Sequence, residues 1–208
     1  MENSFVYNLR AQNWYNGDAP RNLSGFINDK SNRLIGWATI RQLRVKSQLC
    51  PIQNEISSLC AHDYSLFNQD ERSYYPGWRN QSNNNYSSTI LDAFKYKSSE
   101  QLGTYVYAGD HESYGGGGYV YEFRGRLSSL QSNLSQLHQL GWIDTRTRAV
   151  IIQLSLYNAN VELFTSVILL IEILSTGGFY PTIHIEPMHF YSTYYSDFFK
   201  FVIVSFSS

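Results

Sequence analysis

Charge is scarce in this chain. Lys, Arg, Asp and Glu make up 16% of its 208 residues and leave a net charge of −1, against a usual share of about a quarter. No global field recruits nucleic acid or an anionic lipid surface, and Asn, Ser, Gln and Tyr must supply much of the polar surface. Cysteine is almost missing. Cys50 and Cys60 are the only two, and either they form a bridge that closes a short loop, worth on the order of 3 kcal/mol, or they stay as two reduced core thiols. A signal peptide is also lacking, because Met1-Glu-Asn-Ser-Phe5 has neither a basic start nor an apolar centre. That leaves either a cytosolic chain or a piece whose membrane anchor lies elsewhere.

Missing catalytic motifs exclude more. There is no Gly-x-Ser-x-Gly elbow, acidic residues are too few and scattered to assign a carboxylate pair, and the enzyme reading has little to stand on. The run Gly115-Gly-Gly-Gly118 lacks a following Gly-Lys-Ser/Thr and leads into a strand, so no helix N-terminus faces a phosphate there. It reads as a flexible hairpin loop. The best metal candidate is His184-Ile-Glu-Pro-Met-His189. On a strand His184 and Glu186 share a face, and a bend at Pro187 brings His189 toward them, a set resembling a hydrolytic zinc site. Partly exposed strand residues are the plainer reading, and the assignment adopted is no metal, no cofactor and no catalysis.

Hydrophobic residues reach 43% and Tyr numbers 17, enough for a sizeable core without metals or many disulfides and suited to half-buried sheets and interfaces. Residues 1–33 read as an irregular N-terminal segment, with turn signals at Asn16-Gly-Asp18. Ala38–Lys46 alternates Leu43 and Val45 with Gln42, Arg44 and Lys46, which predicts a strand with one wet, basic face. Residues 47–88 read as a long, weakly periodic excursion. Thr104–Tyr107 and Tyr119–Phe123 predict a hairpin across the Gly run. Leu127, Leu130, Leu134 and Leu137, with Leu140 near the same face, predict a helix that stops at Gly141. Strands follow at Val150–Tyr157, at the buried run Val161–Leu174, and at Thr182–Glu186, ended by Pro187. A helix with several sequential strands and no βαβ alternation predicts an α+β fold on an antiparallel sheet. Residues 34–190 form the core in this reading. The apolar stretch at 191–208 reads either as the start of a transmembrane helix or as a last core element. Four Asn-x-Ser sequons, at Asn22, Asn80, Asn85 and Asn133, favour an exported surface, with Asn133 placed on the predicted helix.

Several stretches, in order, resemble the polycystin domain. They are Ile40-Arg41-Gln-Leu-Arg44-Val45; Cys50 with Cys60; Tyr114-Gly115-Gly-Gly-Gly118-Tyr-Val120; Trp142-Ile-Asp144 with Thr147-Arg148-Ala-Val150; Tyr157-Asn158-Ala-Asn160-Val-Glu-Leu-Phe164; and Thr176-Gly177-Gly178 with Pro181. Trp14-Tyr-Asn-Gly17 and Gly77-Trp78 are closer to the large receptor-like branch, the egg-jelly receptor relatives included. The resemblance implies helices packed on an antiparallel sheet with a disulfide-held loop excursion at Cys50–Cys60 that reaches a neighbouring subunit. It implies a domain on the extracellular or luminal side of a membrane, the ciliary membrane included, between the first two transmembrane helices of a cation (calcium) channel or channel-associated receptor. Its implied partners are other polycystin subunits, in a homo- or hetero-tetramer that the domain helps to assemble and gate. Glycans are common on such domains. Trp142 and Arg148 would be structural, and Tyr157–Asn160 would shape a turn. Thr165, Leu174 and Ile183 depart from the common Cys, Pro and Trp of the family. Two rival readings remain. One is a secreted or surface module that binds a ligand or glycan through its Tyr- and Asn-rich surface; the other is the zinc hydrolase on His184, Glu186 and His189.

Overall fold

A computed structural model describes residues 2–9, 11, 25–49, 59–60, 62–81 and 86–189. The centre is a six-stranded antiparallel sheet. Its spine is β1 (Asn32–Arg44), flanked by β7 (Gly118–Glu122) and β8 (Thr147–Asn158). Beyond β8 lie β9 (Leu163–Ile173) and β10 (Phe179–His189), and beyond β7 lies the short β4 (Tyr96–Lys97). The order is β10-β9-β8-β1-β7-β4. Two small ribbons pair β2 (Gln48–Leu49) with β3 (Leu59–Cys60), and β5 (Tyr107–Ala108) with β6 (Ser113–Tyr114). Helices are few: α1 (Glu2–Asn8), α2 (Ser88–Ala93), α3 (Ser99–Leu102) and α4 (Leu127–Gln139).

The expected α+β class is therefore corrected. The described residues are mostly β, about 41% strand and 18% helix. The reason lies in residues 147–189, which form three consecutive strands of eleven or twelve residues each, while only α4 runs beyond two turns. The disulfide-held excursion is not part of that description, since Cys50 and the side chain of Cys60 lie outside the described residues. Much of 62–81 is no excursion: Tyr64, Gln69, Asp70 and Tyr74 are buried against the core.

The helical layer covers one face of the sheet. α1 contributes Val6, α2 contributes Ile90 and Ala93, and α4 contributes Leu130 and Leu137 to a core shared with Ala38, Tyr119, Tyr121, Phe123 and Trp142. The predicted leucine stripe is the seam, with Leu127, Leu134 and Leu140 packed at its edge. Gly141 takes a left-handed φ of 62° just past the helix end, the conformation a C-terminal stop requires. A second cluster on the other face joins Leu43, Val45, Ala149, Ile151 and Leu170 to Tyr64 and Tyr114.

Local expectations fare unevenly. Helix α1 occupies part of a stretch read as irregular. Thr104–Tyr107 does not pair with Tyr119–Phe123; β5 turns back on β6 instead, and β7 joins β1 and β4. Strand β9 spans most of the run 161–174, but only Leu170 and Glu172 are buried within it. Strand β10 runs straight through Pro181 and Pro187. It is an edge strand, and the two prolines, six residues apart, point their missing N–H groups to the same open side, where no ladder bond is lost. Among the described residues no helix is long and apolar enough to cross a membrane. The segment 191–208, read as a truncated membrane helix, lies outside the described residues, as do Asn22 and Asn85.

Candidate functional site

The basic face predicted over 38–46 is wet only at its end: Lys46 is exposed, but Gln42 and Arg44 are fully buried, and Arg41 on the other face is 3% exposed. Alternation was read correctly, but both faces of the sheet are covered here, so the polar positions meet protein rather than solvent. Arg44 points under the helical layer. Its Nε donates to Asp144 Oδ1 at 3.3 Å, Nη2 donates to Oδ2, and the guanidinium lies 3.3 Å from the centre of the Trp78 ring. A planar guanidinium matches both the carboxylate fork and the aromatic face. Burial pulls the Arg44 pKa down, while Asp144 pushes it back up.

Around this pair the chain locks its helix-to-strand junction. Gln42 Nε2 donates to the Trp142 carbonyl at 2.5 Å, and Thr147 Oγ1 donates to Gln42 Oε1 at 2.8 Å. Trp142 Nε1 donates to the Ala93 carbonyl and Trp78 Nε1 to that of Gly141, both at 2.7 Å. Arg148 donates through Nε to His62 O at 2.8 Å and through Nη1 to Thr145 O and Thr147 O at 2.9 Å. These are positioning contacts to carbonyls, not a reaction centre.

Arg41 points to the opposite face. Its Nη1 donates to the carbonyls of Gly115 at 3.3 Å, Gly116, and Gly117 at 3.4 Å, and to Thr104 Oγ1 at 3.4 Å. The Gly run is thus a carbonyl cage around a cation, not a ring of N–H donors around a phosphate. Side chains there would collide: a Cβ on Gly117 would stand 2.2 Å from Tyr96 Oη, and one on Gly116 would stand 2.5 Å from the Thr104 carbonyl.

A further buried charge was missed from the sequence. Glu172, fully buried, accepts from the backbone N–H groups of Asp110 (3.1 Å), His111 (3.1 Å) and Glu112 (3.3 Å) and from Tyr114 Oη at 2.9 Å. His111 Nδ1 lies 3.1 Å from its second oxygen. Burial alone would raise the Glu172 pKa, but these hydrogen bonds outweigh it and hold the carboxyl below its ordinary value. The signal was present: Glu172 is the single charged residue inside the apolar strand 163–173. A carboxylate of depressed pKa adds stability that is complete above its ordinary pKa of 4.5 and lost as pH falls through the folded value. Amide exchange at Asp110–Glu112 should therefore accelerate selectively as pH drops from 4.5 downward, after correction for intrinsic rates, and Glu172→Gln should show that faster exchange already at pH 7. Exchange that tracks the rest of the sheet would show that Glu172 does not anchor this loop.

The metal candidate comes apart. Strand β10 does not bend at Pro187, so His184 and Glu186 share one face and His189, at odd spacing, takes the other. His184 packs against Tyr107 with ring centres 5.9 Å apart. No group of three or more His, Cys, Asp or Glu able to hold a metal occurs among the described residues. Asn80 is exposed, and Asn133 is half-buried on α4 with its amide 3.5 Å from Thr89 Oγ1.

The polycystin domain, as a family model, matches residues 1–191. The chain belongs to the polycystin family. Relatives include Location of vulva defective 1 of Caenorhabditis elegans, 33% identical over 88% of this chain and 6% of its own length. Polycystin-2 of Danio rerio is 32% identical over 87% of the chain and 19% of its own length. Polycystin-1-like protein 3 of Mus musculus is 29% identical over 84% and 8%. The chain spans under a fifth of each of these relatives. Nearly equal identity to the first two does not single out one polycystin branch. In this polycystin domain the motif residues gather at four places. Arg41 and Gly115 belong to the carbonyl cage, with Gly118 packed beside it against Gln42 O and the Arg41 stem, whereas Arg44, Trp142, Asp144, Thr147 and Arg148 form the junction. Tyr157, Asn158 and Asn160 sit at the β8–β9 turn, where Asn160 N donates to Asn158 Oδ1 at 3.0 Å. Thr176, Gly177 and Gly178 form the β9–β10 turn, where Gly177 has φ 92°. Trp78 and Gln42, which complete the junction, carried no site assignment from sequence.

Proposed function

We propose that this chain is the extracytosolic domain of a polycystin-family membrane channel or channel-associated receptor, acting in subunit assembly and in coupling outside cues to gating, without catalysis. The observation that carries the assembly reading is an apolar sheet face that the described residues leave uncovered. Among the described residues the helical layer lies over β7 and β1 and reaches β8 at Leu154. Past it, Ile183 on β10 stands opposite Leu169 and Ile185 opposite Val167, and Phe179, Ile183 and Ile185 are 68%, 63% and 60% exposed. A contiguous apolar patch of this kind marks an interaction surface. Its partner in this reading is a neighbouring polycystin subunit. Family membership supports the channel or receptor context, and the exposed sequon at Asn80 supports the outer side of a membrane.

The test uses the full-length protein that contains this chain. Two differently tagged copies should co-purify, and replacing Ile183 and Ile185 together by Asn should cut recovery about tenfold or more without lowering the melting temperature. In the same protein a glycosidase-sensitive mass should disappear in Asn80→Gln. Undiminished co-purification in the double variant would remove this face from assembly, and a glycosidase-resistant wild type would speak against the outer location.

A further inference from the structure

Arg41 is a buried arginine of the sheet whose charge meets no carboxylate among the described residues. Arg44 and Arg72 each turn their Nε and Nη2 edge to an acid, Asp144 and Asp70 respectively. Arg41 spends Nη1 on glycine carbonyls. Its Nε is buried without a hydrogen-bond partner, and among the described residues Nη2 makes no hydrogen bond. Carbonyl dipoles solvate a cation without neutralising it, and burial pulls the Arg41 pKa down to about 10.

The same side chain lines two adjoining cavities of about 340 and 530 Å³, which also share Thr104 and Gln153. Together they make a groove between residues 104–108 and the sheet, within the size range of small-molecule sites. Its lining is graded. Near Arg41 stand the neutral polar groups of Thr104 and Gln153; along one cavity lie Ser166, the Tyr107 ring and, at the β10 side, Glu186, while the other adds Lys95, Lys97 and the Glu122 carboxylate.

We propose that this groove binds a small organic molecule through a single carboxylate, forked by Nε and Nη2 of Arg41. A carboxylate presents two oxygens in the plane and spacing that this edge of a guanidinium matches. Hydroxyl or amide groups of the ligand would meet Thr104, Gln153 and Ser166, and Glu186 disfavours a second negative charge at the far end. Tyr105 and Val106, exposed on the segment that roofs the groove, lie outside any regular element, so entry disturbs no ladder. The site is separate from the apolar face used for assembly and acts equally in a monomer, so either idea can fail without the other.

The experiment is a calorimetric titration of the full-length protein that contains this chain with D-glucuronate, which carries one carboxylate on a neutral polyhydroxyl ring, alongside D-glucose and inorganic phosphate. Glucuronate should bind saturably and glucose should not. Gln153→Glu keeps the shape of the side chain and sets a negative charge beside Arg41; it should weaken glucuronate about tenfold or more with an unchanged melting temperature. Ser166→Asp, on the next strand, should act in the same direction and covers the case of a misfolded first variant. No saturable glucuronate binding below about 10 mM, or equal binding in both variants, would overturn the proposal. Tighter binding of phosphate than of glucuronate would overturn the carboxylate assignment.

Discussion

Arg44→Ala should be the most damaging single truncation in the helix-to-strand junction. It removes a fully buried cation, leaves Asp144 three-quarters buried without its fork, and opens a hole beside the Trp78 ring. Breaking one side of a buried pair costs about 3–5 kcal/mol, because the remaining charge keeps its desolvation penalty. For a domain of this size that equals a fall of roughly 6–20 °C in melting temperature, and it consumes a large part of the usual stability of about 5–15 kcal/mol. Urea unfolding of wild type and variant measures it. Arg44→Lys keeps the charge but loses the fork and the stacked plane, so it should recover only part of the loss. A loss below about 1 kcal/mol, the range of exposed pairs, would show that the junction does not rest on this arginine.

Gly118→Ala should rank second. Gly118 sits at φ 147°, a region that L side chains avoid, and a Cβ there would stand 2.8 Å from the Gln42 carbonyl on β1. Neither atom can yield cheaply, since one belongs to the central strand and the other to its neighbour in the sheet. Backbone strain and overpacking each cost about 1–3 kcal/mol, and the sum should reach about 3 kcal/mol. Gly141→Ala is the matched control. Gly141 also has positive φ, at 62°, but its Cβ would meet nothing within 4 Å, so only the left-handed penalty of about 1 kcal/mol applies. Equal losses for the two variants would mean that the close approach of β7 to β1 contributes nothing.

Legibility in the sequence followed locality. The α4 stripe, its glycine stop and the strand runs 150–157 and 161–174 were readable because period and punctuation lie within each segment. What a segment packs against was not. Gln42 and Arg44 alternate with Leu43 and Val45 as on a half-wetted strand, and nothing nearby in the chain announces that Trp78 and Asp144 roof the polar face. The hairpin expected from 104–107 and 119–123 failed for a related reason. Turn-rich glycines between two β-prone runs suggest that the runs pair, whereas these glycines are small so that Arg41, Thr104 and Tyr96 can press against their backbone. Strand β10 was cut short at Pro187 because a proline argues against a central strand, and the sequence does not say that this strand is an edge. The overweighting of helix in the fold class came from one conspicuous stripe. The ordered motifs carried the family further than local pattern carried the fold, since they record the junction and the cage as residues without stating what they touch.

The central claim is that this domain stands outside a membrane as part of a larger polycystin, and sequencing the transcript beyond both ends of the chain tests it most directly. The account predicts an apolar stretch of about 20 residues upstream of Met1 and another that begins after Phe198. A transcript that encodes a signal peptide just upstream and a stop soon after Ser208, with no such stretch on either side, would contradict it and leave a secreted module in its place.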